Sequence, residues 1–157
     1  MLAEVLKRDD DWFEACHNYI QWIFPTSEFS RVTPHAPVLD KETMDAFLSD
    51  PLLRQHLRAA FNRILLFYGL AATASGIVKR VNWNERKSNW FTHNTHNSFR
   101  ITRILKSLSA LGLKTDAKAF QSVLLNLCDT EADCGGRAGI GEVLDGSRVE
   151  NTGSCRP

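Results

Sequence analysis

The sequence predicts an all-α fold: a single compact domain of about five or six helices, with a long aromatic-rich loop before the fifth. Two observations predict it. Apolar residues recur at i, i+3, i+4 and i+7 in several segments, the spacing of an amphipathic helix. Helix punctuation also brackets those segments, notably Asp50-Pro51 at one start and Gly69 and Gly112 at two ends. The chain has 157 residues, enough for one domain with a real core.

The first helix is expected from Asp10 or Asp11 to Phe24. The acidic run Asp9–Asp11 suits its start, and Trp12, Cys16, Tyr19, Ile20 and Ile23 form its stripe. His17 and Gln21 share one flank, Asn18 and Trp22 the other. Trp22 therefore lies off the stripe, either covered by a neighbouring loop or part of a binding surface. Pro25 ends the helix. Thr26–Leu39 reads as an extended, proline-containing connection, long for a segment with no structure of its own.

A short helix follows over Asp40–Leu48. Asp50-Pro51 then caps a helix reaching about Tyr68, with Leu53, Leu57, Ala60, Phe61, Ile64, Leu65 and Tyr68 inward. Arg54, Arg58 and Arg63 are expected on its solvated faces. Ala71–Val81 is ambiguous between a helical turn and a brief extended piece. Residues 82–97 break every periodic pattern, and Trp83, Trp90 and Phe91 are expected to fold back on the helices. Ile101, Ile104, Leu105, Leu108 and Leu111 mark the next helix, and Thr115 is expected to cap a last one whose stripe is Phe120, Val123, Leu124 and Leu127. The helical domain is thus read over residues 1–130. Residues 131–157, glycine-rich and without aromatics, read as a disordered tail.

Composition narrows the function. Nineteen basic and 18 acidic side chains nearly cancel, which disfavours nucleic acid as a partner. No apolar run approaches the ~20 residues of a membrane span, and the N-terminus lacks signal-peptide order. The four cysteines show no Cys-x-x-Cys pair, which suits a reducing, cytoplasmic setting. No cofactor is expected.

The polar residues are unusual in where they fall. Asn97 lies on the apolar stripe extended one turn back, with His93 and Arg100 at its edge. Asn97 or Thr95 is either a simple N-cap, or Asn97, Arg100 and His96 form a buried polar cluster or line a pocket. Arg100 and Arg103, three apart, can reach one anion beside the helix start. His17, Gln21, Trp22, Arg86, Trp90, His96, Asn97, Arg100 and Arg103 are the candidate ligand-binding residues of a non-enzymatic binding module. Trp22 and Trp90 would wall it, and an anionic group would sit by Arg100 or Arg103. The alternatives are a single-stranded nucleic-acid or phosphate binder, or an enzyme using His17 or His96. His93, His96 and His17 also have spacing that zinc could use. No His-Glu-x-x-His and no nucleophile motif supports catalysis. A further reading is that these groups only tie the loop to the helices.

Several blocks carry a resemblance: His17-Asn-Tyr-Ile-Gln-Trp-Ile-Phe-Pro25, Leu65-Leu-Phe-Tyr-Gly-Leu70, Arg86 with Asn89-Trp90, and His96-Asn-Ser-Phe-Arg-Ile-Thr-Arg-Ile-Leu105 with Leu111-Gly112. In this order and spacing, over about Trp12 to Leu127, the chain resembles the conserved region of the opioid growth factor receptor family. The resemblance implies an all-helical domain and an enkephalin-type peptide as ligand. It also implies association with membrane and nucleus. The long repeat-bearing C-terminal region of the animal receptors is not among these 157 residues.

Overall fold

A computed structural model describes residues 2–91 and 96–131. Among these are eight helices and one hairpin: α1 (Leu2–Leu6), α2 (Asp10–Ala15), α3 (Tyr19–Ile23), α4 (Lys41–Ser49), α5 (Pro51–Phe67), β1 (Leu70–Thr73), β2 (Gly76–Lys79), α6 (Trp83–Trp90), α7 (His96–Ala110) and α8 (Lys114–Thr130). None of the helices is long and apolar enough to cross a membrane. Of the expected tail, residues 131–157, all but Glu131 lies outside the described residues, including Cys134 and Cys155, as do His93 and Thr95.

The three long helices form as their stripes predict. Leu57, Ala60, Phe61, Ile64 and Leu65 of α5 are buried with Ile101, Ile104 and Leu108 of α7 and Phe120, Leu124 and Leu127 of α8. Phe61 meets Phe120 edge-on, ring centroids 5.4 Å apart. α7 and α8 make a helical hairpin across Gly112, whose φ of +86° is the left-handed stop that glycine supplies. Asp40 and Asp50 cap α4 and α5, accepting from the N–H groups of Thr43 and Leu52. α8 differs slightly from expectation: it starts at Lys114 with no side-chain cap from Leu113, rather than being capped by Thr115.

Three features correct the all-helical, loop-containing expectation. First, the ambiguous stretch after α5 is an antiparallel hairpin pairing Leu70 with Lys79 and Thr73 with Gly76. Four-residue strands are too short for alternation to register against helical noise. Gly76, at φ +122°, sits just past the turn. Second, the aromatic-rich segment contains a helix, α6. Its buried face is Trp83, Arg86 and Trp90, a helical stripe disguised by an arginine in its middle. Third, the expected first helix is broken at residues 16–18 into α2 and α3.

Gly69 joins α5 to β1 at φ +75°. A Cβ there would lie 2.9 Å from Arg86 Cβ and 3.2 Å from the Trp83 backbone. Glycine is therefore required twice over, by conformation and by the approach of α6. At the far end of the fold, Glu131 follows α8 and accepts from both Lys79 of β2 and Lys87 of α6.

Two predictions rest on this architecture. Gly69→Ala should destabilise the domain by about 2 kcal/mol or more, since left-handed backbone alone costs a β-carbon residue roughly 1–2 kcal/mol. Chemical denaturation measures it, and a loss within error would show that α6 can yield. The hydrogen bonds from Lys79 and Lys87 lower the Glu131 carboxyl from 4.5 to about 2. A depressed carboxyl stabilises above its unfolded pKa and loses that contribution as pH falls toward its folded one. Between pH 5 and 2 the melting temperature should fall further in wild type than in Glu131→Gln. Parallel curves would mean that the clasp is not populated.

Candidate functional site

The broken first helix defines the centre of the candidate region. Ending α2 at Ala15 frees carbonyls that a continuing helix would have bonded. Arg100 of α7 takes them: Nη1 donates to Phe13 O at 3.0 Å and Nη2 to Cys16 O at 3.1 Å. Nη1 also donates to Asn97 Oδ1 at 3.2 Å, and the guanidinium lies over the Tyr19 ring. Arg100 is only 4% exposed. Its charge is balanced by carbonyl dipoles, the Asn97 amide oxygen and an aromatic face.

Asn97 is fully buried inside α7. The N-cap alternative therefore does not hold for it. Its Oδ1 also accepts from Tyr68 OH at 3.4 Å, and its Nδ2 contacts His96 Nε2 at 3.3 Å. Burial holds the Tyr68 phenol well above its usual range, so it stays a donor. Tyr68 also links this network to α6. Trp90 Nε1 donates to Tyr68 O at 3.1 Å, and the two rings lie 4.5 Å apart. Beside it, Arg86 Nε donates to Phe67 O at 2.9 Å, with Asp10 Oδ2 at 3.7 Å.

His96 begins α7 at the surface, and its Nε2 stands 3.2 Å from Glu14 Oε1. The His17 ring meets it edge-on at 4.8 Å. Partial burial and the nearby Arg100 cation pull His96 below the ordinary imidazole range; Glu14 opposes this and His17 adds to it. The shift favours the neutral imidazole, whose Nε2 is held between Glu14 and Asn97. Sequence reasoning had not placed a carboxylate beside these histidines. Glu14 was signalled by its position three residues before His17. Among the described residues no group of three or more His, Cys, Asp or Glu side chains is arranged to hold a metal ion.

The nine candidates thus separate. Arg86, Trp90, Asn97 and Arg100 are enclosed and bonded to neighbouring protein groups, with His96 attached at the rim. Gln21 is buried, and its Oε1 has no hydrogen-bond partner. Arg103 is half-buried and donates to Phe24 O at 3.4 Å. His17 is exposed, and Trp22 is 40% exposed.

A concave feature lies further along α7. Thr26–Glu28, the C-terminal half of α7 and the first turns of α8 border an open groove of about 720 Å³. Leu105, Ala110 and Ala117 supply its apolar surface; Glu28, Lys106, Lys118 and Gln121 are among its polar lining. None of the nine candidates lines it. Its sequence signal is the pair of small residues, Ala110 and Ala117, flanking the α7–α8 turn.

A family model for the opioid growth factor receptor (OGFr) conserved region matches residues 1–133. Over 111 residues the chain is 42% identical to the opioid growth factor receptor of Rattus norvegicus, covering 69% of this chain and 19% of that protein. The Homo sapiens opioid growth factor receptor is 38% identical over 106 residues, 66% of this chain and 16% of that one. Opioid growth factor receptor-like protein 1 of Rattus norvegicus is 33% identical over 136 residues, 83% of this chain and 28% of that one. The chain therefore spans less than a third of the length of these relatives. No solved structure matches it. The match over residues 1–133 makes the chain a member of the opioid growth factor receptor conserved-region family.

Proposed function

We propose that this domain is a non-enzymatic binding module for a peptide, of the kind its relatives' name, opioid growth factor receptor, describes. The observation that carries the reading is the groove between Thr26–Glu28, α7 and α8. Its roughly 720 Å³ falls within the ~300–1,000 Å³ of sites for small ligands. Its lining combines an apolar floor with a few charged groups, the composition that gives both affinity and orientation.

The polar motif supports this reading by elimination. Arg86, Trp90, Asn97 and Arg100 spend their donors on backbone carbonyls and on one another. A ligand carboxylate at Arg100 would have to compete with two carbonyls and break the junction of α2 with α7. His17, Trp22, His96 and the half-buried Arg103 keep some surface but do not line the groove, which leaves ligand contact there to the groove's own residues. His96, with Glu14 beside it, favours a second reading as a proton-transfer site. A catalytic role for that pair would show as turnover abolished in both His96→Gln and Glu14→Gln.

Arg100→Lys separates fold from binding. It keeps the charge but cannot span Phe13 O, Cys16 O and Asn97. It should cost about 2–3 kcal/mol of stability, the scale of a lost charge-assisted bond plus an orphaned carbonyl. Unchanged stability would mean that the arginine is not needed for closure. Ser109 lies in the groove wall and is exposed. Ser109→Trp should leave the melting temperature near wild type while weakening opioid growth factor binding at least tenfold by calorimetry. Full affinity in that variant would remove the groove from the proposal.

A further inference from the structure

We infer that His96 is a proton-operated latch on the junction of α2, α3 and α7. Neutral, it accepts a hydrogen bond from Asn97 and the junction stays closed. Protonated, it turns to Glu14 and the N-terminal helices loosen. The latch is separate from the groove.

The bonding of Asn97 fixes the geometry. Its Oδ1 accepts from Arg100 Nη1 and from Tyr68 OH. Arginine has donors only, so the amide oxygen must face it and Nδ2 must face His96. His96 Nε2 therefore stands 3.3 Å from a donor, Asn97 Nδ2, and 3.2 Å from an acceptor, Glu14 Oε1. One ring nitrogen cannot answer both. The neutral ring can place its hydrogen on Nδ1 and keep the Asn97 bond. The imidazolium carries hydrogen on both nitrogens and cannot. Each neighbour needs Nε2: Asn97 is fully buried, and the second Glu14 oxygen is buried with no hydrogen-bond partner.

The surroundings decide which arrangement closes the junction. α2 supplies the Glu14 carboxylate. The α2–α3 connection supplies the Cys16 thiol and the His17 imidazole, whose ring lies 4.8 Å from that of His96. Tyr19 of α3 and Tyr68 of α5 keep their phenol protons, because burial holds both above the usual range. Arg100 of α7 is a fixed cation. A charge on His96 thus meets Arg100 and His17, and Glu14 alone favours it. Glu14 and His96 are partly exposed, where an ion pair is weak. An orphaned amide N–H in the core carries its full desolvation penalty. The balance is against the proton, the direction in which burial and Arg100 also move the ring. The folded-state affinity for the proton is therefore depressed. Such a group stabilises the closed form above its unfolded titration range and loses that contribution as pH falls through the folded one. The consequence reaches α2 and α3, because Asn97 also accepts from Arg100, which holds Phe13 O and Cys16 O. Helices of six and five residues do not persist without that hold.

Hydrogen exchange of the full chain, corrected for the intrinsic pH dependence of amide exchange, tests the latch. Residues 10–23 are followed against α8. Between about pH 7.5 and about pH 5, where imidazole titrates, protection over 10–23 should fall about three- to fivefold relative to α8, the scale of exposed charge contacts. In Glu14→Gln the fall should be larger, since the one favourable partner is gone. In His96→Gln, which has no titrating group there, it should disappear. An NMR titration of the His96 ring leaves position 96 intact, so it serves even where His96→Gln does not fold. Its midpoint should lie below the ordinary imidazole range in wild type and rise in His17→Gln, a change at an exposed site. Equal protection at both pH values in wild type, or a fall of wild-type size in His96→Gln, would overturn the latch. So would a His96 midpoint at or above the ordinary imidazole range.

Discussion

The fold depends on arginine guanidinium groups closing helix C-termini from a distance. Arg100 is the central case, taking Phe13 O and Cys16 O where α2 stops. The device recurs. Arg54 donates to Phe47 O and Leu48 O at the end of α4, and Arg86 donates to Phe67 O at the end of α5. Arg103 reaches Phe24 O after α3, and Arg63 reaches Arg8 O just after α1. Helix ends leave carbonyls unsatisfied and carry partial negative charge, so a cation with several donors answers both needs. Each guanidinium also ties one helix to another. The cap and the tertiary contact are the same interaction.

This arrangement explains why the family-bearing stretch from His96 to Leu105 mixes apolar and cationic residues. Ile101, Ile104 and Leu105 pack α7 against the core, while Arg100 and Arg103 close α2 and α3. The same helix face that buries the core therefore holds the N-terminal helices in place. α2 and α3 have six and five residues, too short to persist in isolation. Their stability is borrowed from α7, through Arg100, Arg103 and the rings of Phe13 and Tyr19, which meet at 4.8 Å. A motif of this kind constrains sequence strongly without touching a ligand.

The same logic decides what was legible in the sequence. α5, α7 and α8 have long stripes and local punctuation, so their existence and faces follow from periodicity. Asp40 and Asp50 act within two or three residues, so their caps were visible as well. The end of α2 was not, and neither were the arginines that close α2, α3 and α4, because no basic residue lies in their last turns. The cation that closes each comes from elsewhere in the chain, 84 residues away for Cys16 and Arg100. Arg54 and Arg63, expected on solvated faces, prove to be such caps. α6 was hidden for a related reason: Arg86 occupies a core position because Phe67 O is there to receive it. A hydrophobicity pattern cannot register a buried cation whose partner is a distant carbonyl.

The candidate site was legible in its chemistry: the clustering of Asn97, Arg100 and Trp90 was visible, and burial stood as one reading beside a ligand pocket, with nothing local to choose between them. Carbonyl satisfaction goes with burial: a guanidinium bonded to two main-chain oxygens and one amide, and 4% exposed, presents little surface to a ligand. Cations that the fold does not need are found at the surface instead. Lys118 meets that condition, being exposed on α8 and unpaired among the described residues, whereas Arg58 on the same flank is engaged with Asp116 at 3.0 Å. The division is physical: arginine, with its planar fork, suits fixed carbonyl geometry, whereas the single flexible ammonium of lysine suits an incoming charge. In this domain the most enclosed structural cations, Arg86 and Arg100, are arginines, while the lysines of the Glu131 clasp lie nearer the surface.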